Sequence, residues 1–129
     1  MKEIYVVREL TGAGSEITYV PVPCKGIVKS VRVVSDLQMD ATGTLVVSQG
    51  ATAVNTVTVP AANVAAGTTL DGVPDATHKD LIFDPDSTTA ANRVIKITDD
   101  AAFLGGAATI TVLIGYDESC YVPQAASEA

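Results

Sequence analysis

The sequence predicts an all-β fold, a single antiparallel β-sandwich or jelly-roll-like domain of about eight strands. Three observations predict it. Val, Ala and Thr dominate the composition, while Trp is absent and Phe occurs only at Phe83 and Phe103, which makes an aliphatic, β-branched core suited to pleated sheets. Several short runs alternate apolar and polar residues with the period of a half-buried strand. Turn-forming clusters separate those runs, and no apolar helical stripe continues for three turns.

Candidate strands, in order, span residues 4–10, 16–22, 26–34, 44–48, 53–59, 79–83, 92–98 and 108–116. The last places Ile110, Val112 and Ile114 on one face and Thr109 and Thr111 on the other. Val57 and Val59 against Thr56 and Thr58, and Ile95 and Ile97 against Lys96, follow the same rule. Between the runs stand Thr11-Gly12-Ala13-Gly14-Ser15, Asp40-Ala41-Thr42-Gly43, Gln49-Gly50, Asp84-Pro85-Asp86 and Gly105-Gly106, all rich in residues that supply turn geometry a strand interior resists. Single helical turns are expected near 60–66 and 87–91, where Pro or Asp precedes Ala-rich sequence. The stretch 61–79 is the longest without a clear strand, and long ordered loops often carry function. One domain is expected over residues 1–123, followed by a flexible tail or arm at 124–129 that is too small and polar to pack by itself.

The formal net charge of -7 argues against nucleic-acid binding, which needs many Lys and Arg contacts to phosphate. The charge is unevenly placed. As far as Val34, Lys2, Arg8, Lys25, Lys29 and Arg32 oppose only Glu3, Glu9 and Glu16, and all the remaining acid follows. A fold that kept the two sets apart would present one basic and one acidic surface, suited to docking onto an acidic partner. Acidic loops simply carrying turn-forming Asp would look the same in sequence. The start, Met1-Lys2-Glu3-Ile4-Tyr5, lacks a secretory apolar stretch, and the uncharged, apolar-rich run 101–116 is too short and too interrupted to span a membrane. Synthesis in a cytoplasm and no membrane partner are expected. Cys24 and Cys120 lack metal-ligand spacing, and a cytoplasmic origin favours thiols over a bridge between them.

Candidate chemistry is sparse. A Ser-His-Asp or Cys-His mechanism would have to use His78, the single histidine, with Ser87 or Cys24 as nucleophile and Asp84 as orienter, and no nucleophile-elbow pattern accompanies them. Asp84-Pro85-Asp86-Ser87-Thr88 opens like a calcium loop, but Thr89 stands where an EF-hand needs Gly and Ile95 where it needs Glu. A looser calcium site from Asp71, Asp75, Asp84 and Asp86 is the one metal candidate, against the simpler role of Asp in Asx turns. Gly12-Ala13-Gly14-Ser15 lacks the Lys and helix of a phosphate loop. The pairs Asp99-Asp100 and Asp117-Glu118 are expected at turns, not as a glycosidase acid and base. No enzyme and no cofactor are expected.

The runs 26–35, Gly43-Thr44-Leu45-Val46-Val47-Ser48, Val57-Thr58-Val59-Pro60, Ala66-Gly67-Thr68-Thr69-Leu70 and Leu81-Ile82-Phe83-Asp84-Pro85-Asp86 together resemble the small β-sandwich head decoration, or cement, proteins of tailed bacteriophages. The resemblance covers roughly residues 26–116 and is one of strands and turns, with no catalytic signature. It implies a structural virion protein on the outer surface of an expanded capsid, bridging major capsid protein subunits and stabilising their lattice. Lys25, Lys29 and Arg32 are then the candidate capsid-docking residues, and the chain itself a possible homo-oligomeric partner. The other binding role open to such a domain is a phage fibre or receptor-binding module, for which the tyrosines Tyr5, Tyr19, Tyr116 and Tyr121 offer few contacts.

Overall fold

The structure, a computed structural model, describes residues 2–10, 16–36, 38–39, 43–59, 64–99 and 108–118. The Gly12-Ala13-Gly14-Ser15 turn, residues 60–63 of the helical turn expected near 60–66, Asp100, Cys120 and the arm at 124–129 lie outside the described residues, and the described end of that expected turn, 64–66, is not helical. The strands are β1 (Lys2–Leu10), β2 (Glu16–Pro21), β3 (Ile27–Ser35), β4 (Gly43–Gln49), β5 (Thr52–Val59), β6 (Leu70–Asp71), β7 (Val73–Pro74), β8 (Val94–Asp99) and β9 (Ala108–Asp117), with a 3-10 turn at Ala90–Arg93.

They form two antiparallel sheets, one ordered β1-β9-β3-β6 and the other β2-β8-β4-β5-β7. The ribbon β1–β2 runs beside β9–β8, which in turn runs beside β3–β4, so that each ribbon passes from one sheet into the other. With β5 flanking β4 and β6 flanking β3, this is a jelly roll carrying one added edge strand, β7. The expected fold class is the observed one.

Alternation explains how the sheets close on each other. Val31 and Val33 of β3 and Ile110, Val112, Ile114 and Tyr116 of β9 face Leu45 and Val47 of β4, Val57 and Val59 of β5, and Ile95 and Ile97 of β8, all fully buried. Burial of each such side chain contributes roughly 1.5–3 kcal/mol against the entropy of ordering the chain. Phe83 and Met39 plug the core from loops. Phe83 is anchored by reciprocal backbone bonds with Gly26, and Met39 by reciprocal bonds with Val64.

Two bulges break the period. One lies between Val28 and Ser30, so Lys29 is the extra residue and both Lys29 and Ser30 are exposed. The other, between Val47 and Ser48, leaves Val54 of β5 without an opposite residue. Gln49 pairs with Thr52 across Gly50 and Ala51, and Gly50 takes the positive φ of 58° that this tight hairpin requires.

Two expectations are corrected. Residues 79–83 are not a strand: Lys79 N–H bonds Asp75 O and Leu81 N–H bonds His78 O, closing turns that leave only Phe83 in a bridge to Gly26. Conversely, 61–79 is not strandless, since β6 pairs with β3 and β7 with β5. The helical turn near 87–91 is present, displaced to Ala90–Arg93.

Candidate docking surface

β3 and the turn before it carry the expected basic residues. Lys25, Lys29 and Arg32 are all exposed. Arg32 lies directly opposite Asp71 in the β3/β6 register, and its Nε meets Asp71 Oδ1 at 3.2 Å. With the two side chains 63% and 71% exposed, water screens this pair and it adds at most about 1 kcal/mol. It does bring one residue of the basic set against one of the acidic set on this sheet edge. Beside Arg32, a shallow groove runs over the outer face of the sheet, lined by Val34, Thr69, Thr111 and Leu113.

Of the four aspartates of the calcium candidate, three have carboxylates engaged in separate tasks. Asp71 pairs with Arg32. Asp75 Oδ2 accepts the backbone N–H groups of Thr77 and His78 at 3.0 and 2.8 Å and lies 3.0 Å from His78 Nδ1. These two backbone bonds first, and the neighbouring imidazole second, hold the Asp75 carboxyl below the ordinary aspartate range. Asp84 Oδ1 accepts the N–H of Asp86, an Asx turn. Among the described residues, no group of three or more His, Cys, Asp and Glu side chains is arranged to hold a metal ion.

The catalytic candidates are likewise engaged elsewhere. His78 takes Asp75, not Asp84, as its carboxylate neighbour, and Ser87 Oγ accepts the N–H of Thr89 within its own turn. Cys24 is half-buried and its Sγ lies 3.5 Å from Glu118 Oε2. Asp99 was expected at a turn, yet it closes β8 and is buried. Its position opposite buried Leu45 puts it on the inward side of the sheet.

The second sheet shows a surface that sequence reasoning missed. Ile17 is 50%, Tyr19 60% and Val73 70% exposed. Ile17 and Tyr19 stand opposite Thr98 and Lys96 of β8, and Val73 opposite Thr56 of β5. Because β2 reads Ile17-Thr18-Tyr19-Val20, both of its faces are credible core faces in sequence; only the register with β8 assigns Ile17 and Tyr19 to the outside. Of the other tyrosines, Tyr116 is buried.

No family model, curated protein or solved structure matches this chain.

Proposed function

We propose that this chain is a structural virion protein, a decoration or cement protein that binds the outer surface of a tailed-phage head and bridges major capsid protein subunits. The observation that carries the reading is a jelly-roll sandwich whose β3 and preceding turn expose Lys25, Lys29 and Arg32 in succession, with a shallow Thr- and Leu-lined groove beside Arg32. Phage-head lattices repeat the same contact many times. A modest interface, on the order of 800 Å² per partner, therefore stabilises a shell through repetition.

In this reading the ammonium groups of Lys25 and Lys29 approach acidic capsid side chains, while the bulge at Lys29 turns its side chain out of the ladder. The long-range attraction guides encounter, and sheet-face contact supplies the area. The test is co-sedimentation of the purified protein with expanded, undecorated capsids of its phage and with capsid-free controls. Saturable capsid-dependent binding, weakened by Lys25→Glu with Lys29→Glu, supports the reading. A folded protein that fails to bind capsids sinks it and leaves the fibre or receptor-binding module in first place.

A further inference from the structure

β2 is an edge strand: among the described residues it pairs with β8 alone. The phase of its ladder follows from one bond. Val22 N–H donates to Arg93 O at 3.3 Å, one step beyond the Pro21 and Val94 pair. In an antiparallel ladder hydrogen-bonded and non-bonded pairs alternate. Val20 and Thr18 therefore direct their backbone groups toward β8, whereas Ile17, Tyr19 and Pro21 direct theirs away from it. Ile17 and Tyr19 are also the residues whose side chains are largely exposed.

This edge lacks the usual protection along most of its length. No charged residue occurs from Ile17 to Pro23, whereas β1, the other long edge, includes Lys2, Glu3, Arg8 and Glu9. The remaining edges, β6 and β7, are two residues each. Pro21, with no N–H to offer, blunts only the far end of β2.

We infer that β2 is a self-association edge, on which a second copy of this chain pairs antiparallel about a twofold axis through Thr18, joining two five-stranded sheets into one. The occupant follows from the pattern. In that register Ile17 faces the partner's Tyr19 and exchanges both backbone hydrogen bonds with it, and the twofold repeats the pair. Thr18 meets the partner's Thr18, and Glu16 meets the partner's Val20, so no like charges are opposed. Each Ile–Tyr pair is the β-branched and aromatic combination that stabilises cross-strand contacts, and the interface is self-complementary as a closed dimer requires. Pro21 falls beyond the paired segment and costs it no donor. This inference does not depend on the capsid reading.

Sedimentation equilibrium from micromolar to millimolar protein tests it, with hydrogen exchange of the Ile17 and Tyr19 amides. The expected result is a reversible dimer, with both amides more protected as concentration rises. Tyr19→Lys should weaken the dimer by roughly tenfold or more. Tyr19→Pro should abolish it while preserving the circular dichroism spectrum, since the N–H removed faces away from β8. Val73→Lys, on the opposite edge, should leave it intact. A wild-type protein that stays monomeric throughout overturns the inference. So does a dimer that tolerates Tyr19→Lys, or one that is lost with Val73→Lys.

Discussion

Tyr116 donates its hydroxyl proton to the backbone carbonyl of Cys24 across 2.5 Å, joining the end of β9 to the turn that precedes β3. The ring is fully buried and abuts Gly26, where a β-carbon would press on both the ring and the Asp117 carbonyl. Tyr116→Phe keeps the ring and removes the donor. It should cost about 1–2 kcal/mol in urea denaturation, because the part-buried carbonyl loses this donor, with the denaturant slope unchanged.

Gly72 and Asn55 form a second tight pair. The chain leaves one sheet at β6 and enters the other at β7 through Gly72, and a β-carbon there would overlap Asn55 Oδ1. Asn55 is buried, and among the described residues neither its Oδ1 nor its Nδ2 has a hydrogen-bond partner. Gly72→Ala should cost about 1–3 kcal/mol by overpacking. Asn55→Ala trades a small cavity for relief of two unsatisfied atoms and should fall within about 1 kcal/mol of wild type. The double variant should recover most of the Gly72→Ala loss, a coupling that a thermodynamic cycle measures directly.

Asp75 supplies a pH prediction. Its folded pKa is lowered chiefly by the backbone N–H groups of His78 and Thr77. Its contribution is therefore present above the unfolded value, about 3.9, and is lost as pH falls through the lower folded value. Carboxyl-carbon NMR should show a midpoint below that of a free aspartate. His78→Ala should leave it depressed, since the backbone donors remain; a return to the ordinary value would assign the effect to the imidazole instead.

Asp71→Asn separates stability from docking. Loss of the exposed Arg32 pair should change unfolding free energy by less than about 1 kcal/mol. It should also leave Arg32 with an uncompensated charge, so on the capsid reading the variant binds capsids more tightly at low salt than wild type does. Co-sedimentation across a salt series checks both the sign and the screening.

What could be read without coordinates was whatever rests on period. Ile110, Val112 and Ile114, or Ile95 and Ile97, alternate with polar residues, and each set is buried as that alternation requires. Residues 79–83 misled because Leu81-Ile82-Phe83 is an apolar run whose backbone is committed to turns; Gln49 Nε2 donates to Ile82 O and the Ile82 side chain is exposed. β6 and β7 escaped notice because two-residue strands have no period, and Pro74 argues against a strand unless its position at an edge is known. For the candidate surface, the sequence identified Lys25, Lys29 and Arg32 but not the Arg32 and Asp71 pairing, which arises from strands far apart in the chain.

The ribbon order also dictates a schedule for synthesis. Of the sheet pairings among the described residues, only β4 with β5 joins strands consecutive in the chain. β1 and β3 both wait for β9, and β2 and β4 both wait for β8. A ribosome that has released β1 to β5 has thus delivered one hairpin and three strands with open sides. Non-local pairing of this kind closes slowly and leaves edges open to other chains meanwhile. The interval between the emergence of β5 and that of β9 is when nascent chains are most apt to join one another instead of themselves, and on the capsid reading, which calls for many copies at once, that interval matters most.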